Sequence, residues 1–385
     1  MPESLRIALL THSVNPRGGV VHTLELAEAL QAAGHVVTVF APATAGQRMF
    51  RPVACELVLV PTAQTLPGVE AMVASRIAAF VAYFSELLQH RSFDLFHAQD
   101  SISGNALANL RDQGLIEGFV RTVHHLDVFD NPRLTAWQHR AFAEARQVLC
   151  VSRVWQDFLR DEHGIEAGLV HNGVNLRRYS PRPEPGDARV AVRHGLRPGG
   201  AVVLAVGGVE ERKNTRRLLA AFAALQVRRP DTQLVIAGGA SLLDHDAYAR
   251  AFQADLAASG LRQGTGEDVV LTGPVRDADM PALFRLARVV AMPSLREGFG
   301  LVVLEALASG TPVVVSNIAP FTEYLGDAPV AWADPLDVPS ITAALDTALQ
   351  RAPFALPAVC RRFSWPASAA QHLAHYRAQP VHCQA

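Results

Sequence analysis

Glu297 and Glu305, with seven residues between them, bracket a glycine-bearing turn in Pro293-Ser294-Leu295-Arg296-Glu297-Gly298-Phe299-Gly300-Leu301-Val302-Val303-Leu304-Glu305-Ala306. A β-branched run ends at Met292, and the pattern that follows predicts a helix from near Phe299. The amides of Gly298, Phe299, Gly300 and Leu301 would then face outward at a helix start. Unpaired N–H groups and the helix dipole attract an anion such as phosphate at such a start. Glu305, further along the helix, can accept hydrogen bonds from the vicinal hydroxyls of a ribose. Glu297 lies in the turn, near whatever occupies the phosphate end. Isolated, the two would read as a turn residue and a solvated helix charge. Leu301, Val302, Val303, Leu304 and Leu307 make this helix strongly apolar, however, and carboxylates in such surroundings need partners.

Three other strand-to-helix junctions carry reactive groups. Val206-Gly207-Gly208-Val209-Glu210-Glu211-Arg212-Lys213-Asn214 holds two cations, which alone would be an exposed charged turn. In Asn15-Pro16-Arg17-Gly18-Gly19-Val20, Gly18 and Gly19 allow backbone to approach a phosphate or sugar, although taken alone a tight turn is the better explanation. Thr122-Val123-His124-His125 ends a strand, where site residues of open α/β sheets sit.

The elements that must position these loops alternate throughout. Expected strands are 5–11, 36–41, 56–60, 94–98, 120–124 and 148–152 in the first half. In the second half they are 201–206, 233–237, 269–271, 289–292 and 313–316. Helical stretches separate them, such as 19–33 with Val20, Leu24, Ala27 and Leu30 on one face. Apolar strands separated by helices predict doubly wound parallel sheets, covered on both faces. Two Rossmann-like domains are expected, with sites facing a shared cleft. The division is 1–172, then 173–358, and 359–385 as a helix at 365–378 packing back on the first domain, followed by a tail. The Pro- and Gly-rich stretch 179–200 reads as a surface segment beyond the hinge.

The chain has 385 residues, too many for one ordinary core. Its formal charge of −1 argues against nucleic acid as a partner. No apolar run reaches the ~20 residues of a membrane span, and no signal peptide is visible. Cys55, Cys150, Cys360 and Cys383 are scattered, which suggests reduced thiols in a cytoplasmic protein and no zinc cluster.

The Glu-x7-Glu spacing within Glu-Gly-Phe-Gly-Leu resembles the donor-site motif of glycosyltransferase family 4, retaining enzymes of the GT-B fold. Ala308-Ser309-Gly310-Thr311-Pro312-Val313-Val314 is similar to that family's following helix–turn–strand, and His171-Asn172-Gly173-Val174-Asn175 to its interdomain turn. The resemblance covers about residues 5 to 376. It implies hexosyl transfer from a nucleotide diphosphate sugar, with Glu305 on the ribose and Lys213 on the diphosphate. It implies Glu297, Gly298, Phe299, Gly300 and Leu301 around sugar and phosphate, Gly18 and Gly19 bordering the donor phosphates and the acceptor, and His124 facing the transferred sugar. His124 and Glu297 are the expected catalytic pair. No cofactor and no metal are expected, because two cations and a helix start stand where a metal would. The chain departs from the pattern at Gly208, where arginine is usual, and at His125, where aspartate is common. Arg212 is the neighbouring cation.

The acceptor stays open: a small molecule, a glycan or a lipid. Asp277-Ala278-Asp279 has the form of a metal-binding Asp-x-Asp but reads as a helix N-cap at Asp277. Asp244-His245-Asp246 is read likewise as capping, with a cleft-lining role left open. Rival readings are an NAD-dependent oxidoreductase, opposed by the absence of Gly-x-Gly-x-x-Gly after any strand, and a non-catalytic sugar-nucleotide-binding protein. A GT-B epimerase or phosphorylase is a further alternative. No Gly-x-Ser-x-Gly elbow supports a serine hydrolase.

Overall fold

The computed structural model describes residues 4–63, 68–239, 246–352 and 354–378. It comprises two compact units: Met1–Gly173 together with Phe363–Ala385, and Val174–Arg362.

In the first unit the elements run β1 (Arg6–Leu10), α1 (Gly18–Ala32), β2 (Val36–Ala43), β3 (Glu56–Pro61), α2 (Val69–Leu87), β4 (Leu95–Ala98) and α3 (Ser101–Asp112). They continue with β5 (Val120–Val123), α4 (Pro132–Ala143), β6 (Gln147–Cys150), α5 (Arg153–His163) and β7 (Gly168–Leu169). In the second unit they run α6 (Asp187–Arg193), β8 (Ala201–Val206), α7 (Thr215–Gln226), β9 (Thr232–Ala237), α8 (Asp246–Ala258), β10 (Val269–Gly273), α9 (Met280–Leu286) and β11 (Val289–Met292). There follow α10 (Leu301–Ala308), β12 (Val313–Ser316), α11 (Phe321–Tyr324), β13 (Val330–Ala333), α12 (Val338–Leu349) and α13 (Ala358–Arg362). The helix α14 (Trp365–Arg377) returns to the first unit.

The sheet orders are β3-β2-β1-β4-β5-β6-β7 and β10-β9-β8-β11-β12-β13. All strand pairs named in either sheet are parallel. Such strands are buried on both faces, which is why they read as unbroken apolar runs rather than alternating ones. In the first unit Phe80 and Phe84 of α2 and Leu107 of α3 cover one face. Leu24, Ala27 and Leu30 of α1, with Leu373 and Tyr376 of α14, cover the other. In the second, Leu218, Phe222, Phe252 and Leu345 pack against Val203, Leu234 and Val289.

Each sheet reverses its winding between two adjacent strands, β1 and β4 in one and β8 and β11 in the other. The crevice past the carboxyl ends of such strands is where open α/β sheets bind ligands.

The Pro-rich stretch after Tyr179 is more than a surface segment. Within it α6 docks on α9, with Asp187 accepting from Arg285 at 2.6 and 2.9 Å. Two strands absent from the expected set, β7 and β13, are edge strands of only two and four residues. No helix among the described residues is long and apolar enough to cross a membrane.

Candidate functional site

In the second unit the loops after β8 and β11, the switch-point strands, are stitched to each other. Leu295 N–H donates to the Arg212 carbonyl at 2.9 Å, and Asn214 Nδ2 donates to the carbonyls of Pro293 and Pro335 at 2.9 and 2.7 Å. Asn214 adopts a left-handed conformation, with φ of 59°. Asparagine tolerates this region better than most residues, and these two bonds from its side chain hold it there.

This stitching brings Arg212, Lys213 and Glu297 together. Lys213 Nζ donates to Glu297 Oε1 at 2.7 Å, Arg212 Nη1 stands 3.1 Å from Oε2, and Ser294 Oγ donates to Oε1 at 2.9 Å. Burial alone would raise the Glu297 pKa; the adjacent Lys213 and Arg212 charges override it and hold the carboxylate at about 2. Burial draws the Lys213 ammonium down from its ordinary range, with Glu297 pulling the other way. Glu210, also buried, lies 3.7 Å from Arg212.

The glycines explain the departure at position 208. Lys213 runs across Gly207, where a Cβ would meet its Cε at 2.7 Å. Gly208 has φ of +78°, and a Cβ there would sit 2.6 Å from the Gly239 carbonyl oxygen. A side chain at 208 is thus excluded by close backbone approach, and the cations enter the loop later, at 212 and 213.

Downstream, α10 begins at Leu301, slightly later than the pattern suggested, with Gly300 as N-cap at φ of 91°. Phe299 is buried and stacks on Tyr324 at 4.6 Å, and the Tyr324 hydroxyl donates to the Phe299 carbonyl at 2.8 Å. That brace fixes the turn, Gly298 to Gly300, against α11. Glu305 is half-buried on α10, and its charge reaches the buried Tyr179 hydroxyl, which it helps to hold protonated after burial itself.

In the first unit Gly18 and Gly19 open α1, and a Cβ on Gly19 would touch the His124 ring at 3.4 Å. His124 follows β5; burial first, then the neighbouring His22 and Arg121 charges, push its pKa well below the ordinary value. His125 is exposed and faces Asp127 at 3.4 Å. Behind His124 lies a polar cluster. His22 meets the His124 ring at 4.6 Å and accepts or donates with Asn172 at 2.8 Å, which gives the Asn-Gly-Val turn its contact.

Asp277 is not a helix N-cap: the Asp-x-Asp segment forms a 3₁₀ turn, and Asp279, at the N-cap position of α9, makes no side-chain cap bond. Both carboxylates are instead engaged by basic side chains. Asp277 meets Arg178 at 2.7 Å; Asp279 meets Arg193, His194 and Arg276 at 3.0, 3.0 and 2.8 Å. Asp244 and His245 lie outside the described residues, and Asp246 starts α8. Among the described residues no group of three or more His, Cys, Asp and Glu is arranged to hold a metal ion. Cys55, Cys150 and Cys360 are buried free thiols, and Cys383 lies outside the described residues.

Residues 16–178 match the family model described as Glycosyltransferase Family 4, and residues 189–360 match that described as Glycosyl transferases group 1. The O-antigen chain mannosyltransferase B of Escherichia coli is 30% identical over 285 residues, covering 68% of this chain and 71% of that protein. A phosphatidyl-myo-inositol mannosyltransferase of Mycobacterium tuberculosis is 29% identical over 398 residues, covering 97% and 96%. Among solved structures, sucrose-phosphate synthase from Thermosynechococcus elongatus superimposes with a TM-score of 0.75 at 23% identity, covering 97% of this chain and 98% of that one.

Proposed function

This chain belongs to glycosyltransferase family 4, with the GT-B fold, and from that premise we propose that it moves a hexose from a nucleoside diphosphate sugar to an acceptor hydroxyl, with retention and without a metal. The observation that carries the reading is the convergence of Arg212 and Lys213 on the buried Glu297 beside the start of α10, at the switch point of the second sheet. A pair of cations next to helix-start amides is built for a diphosphate. In this reading Arg212 and Lys213 take the diphosphate and Glu305 the ribose. Glu297 and the turn amides of Gly298, Phe299, Gly300 and Leu301 take the sugar and its phosphate. Gly18, Gly19 and His124 of the first unit serve the transferred sugar.

As the anomeric C–O bond breaks, its electron pair passes to the diphosphate oxygen. The two cations and the helix start stabilise that charge, the role a divalent ion fills elsewhere. The acceptor oxygen forms the new bond on the face the diphosphate leaves, and its proton passes to the departing phosphate. That sequence conserves anomeric configuration without a covalent enzyme intermediate.

Calorimetry against UDP, GDP, ADP and NAD tests the donor assignment. One nucleoside diphosphate is expected to bind in preference to NAD; tight NAD binding with no diphosphonucleoside binding would defeat it. Transfer should persist in a chelator, and its abolition would remove the metal-free leaving-group account.

A further inference from the structure

Behind His124 runs a chain of polar groups that the transfer chemistry above does not employ. Gln99, the buried residue just after β4, sits between two histidines. Its Oε1 is 3.1 Å from His124 Nε2, and its Nε2 is 3.2 Å from His97 Nε2. That same His97 nitrogen lies 2.7 Å from Thr122 Oγ1, while His97 Nδ1 lies 2.7 Å from the Tyr376 hydroxyl of α14. The links therefore join β4, β5 and the helix that returns from the far end of the chain.

Burial, reinforced by neighbouring histidines and Arg121, holds both rings neutral, so each carries one N–H and one lone pair. A primary amide has a donating end and an accepting end, and Gln99 has one end on each ring. The protonation of one ring is thus transmitted to the other. With the amide nitrogen on His97, that ring's Nε2 accepts from Gln99 and from Thr122. Its proton lies on Nδ1 and is donated to Tyr376. The amide oxygen can only accept, so His124 donates from Nε2. His124 Nδ1 makes no hydrogen bond among the described residues and keeps its lone pair.

We propose that Gln99 is a positioning residue that locks His124 in the Nε2–H tautomer, leaving Nδ1 to accept a hydrogen bond from a hydroxyl of the transferred sugar. The proposal rests on the reading of His124 as a residue that faces that sugar. The direction of the amide, nitrogen toward His97 and oxygen toward His124, is what ties the two tautomers together.

The test is a nitrogen-15 spectrum of the full chain labelled at histidine, with His97 and His124 assigned from His97→Gln and His124→Gln. The expected pattern is N–H on Nε2 of His124 and on Nδ1 of His97. Gln99→Met should leave the His97 pattern intact and give His124 mixed tautomers. It should also lower kcat about tenfold with little change in the donor KM, the loss of one oriented hydrogen bond. An unprotonated Nε2 on His124 in the natural chain would overturn the lock, and that spectrum decides even if Gln99→Met does not fold. A single Nε2–H tautomer persisting in Gln99→Met would overturn it too. If the lock is present but His124→Gln transfers at the natural rate, the failure lies with His124 as a sugar-facing residue.

Discussion

Glu297→Gln is the most revealing single change, because it should move binding and turnover in opposite directions. At this site two carboxylates, Glu210 and Glu297, face two cations, Arg212 and Lys213. An incoming diphosphate competes with Glu297 for both cations. The strength of that competition is legible in the Glu297 pKa, held at about 2 against an ordinary 4.5 despite burial. That difference corresponds to about 3 kcal/mol of net attraction between the carboxylate and its surroundings. The amide keeps the shape, the Ser294 hydrogen bond and an acceptor for Lys213, but removes the charge. Arg212 is about a quarter exposed, so solvent screens part of the effect, and a third of the attraction is a fair share to pass to the phosphates. Calorimetry with the preferred nucleoside diphosphate should then show binding tighter by about 1 kcal/mol, or roughly fivefold. Transfer should fall sharply, because a carboxylate near the sugar is gone. Weaker diphosphate binding in Glu297→Gln would refute the idea that this carboxylate competes for the phosphate cations.

Two further outcomes concern stability. Gly208→Ala should cost roughly 2 kcal/mol or more in denaturant unfolding of the second unit, since the left-handed backbone and the Gly239 carbonyl both resist a Cβ; Gly208→Arg should fail likewise rather than add a useful cation, and an unchanged midpoint would contradict the packing argument. The first unit should lose stability in acid: burial puts the folded-state pKa of His22 at about 4 and of His372 at about 3, both below the unfolded value, so their contribution is complete above about pH 6.5 and is lost as pH falls toward those values. For His22 alone the loss between about pH 7.5 and about pH 5 is roughly 2 kcal/mol, and a midpoint independent of pH over that window would count against a neutral buried cluster.

The parts of the fold legible in the sequence were those specified by local pattern. Val20, Leu24, Ala27 and Leu30 fall on one face at helical spacing, and all four are buried in α1. Continuous β-branched runs such as Val313–Ser316 could only be doubly covered strands. What escaped was set by distant neighbours. The two-residue β7 is too short to carry a pattern, and α6 hides in a stretch whose prolines and charges suggest a linker. At the site, the glycines and Glu297 announced themselves through spacing, yet nothing local said that Lys213 would bond a carboxylate 84 positions away. His97 and Tyr376, 279 positions apart, looked like unrelated residues of a strand and a helix. Gln99 carries no motif at all, and its significance lies wholly in which two rings its amide separates.

The return of α14 to the first unit has a bearing on how the protein is made. Tyr376, Leu373 and Ala369 belong to the core that α1 and β1 begin, and His22 packs against Trp365 and His372. During synthesis the residues of the first sheet emerge early, but the part of their apolar face that α14 covers stays exposed until the ribosome has passed the entire second unit. The second unit, contiguous from Val174 to Arg362, has all its own elements in hand before then. Birth order and completion order are therefore reversed: the half translated first is the half finished last, and it keeps apolar surface exposed while the polypeptide is still growing.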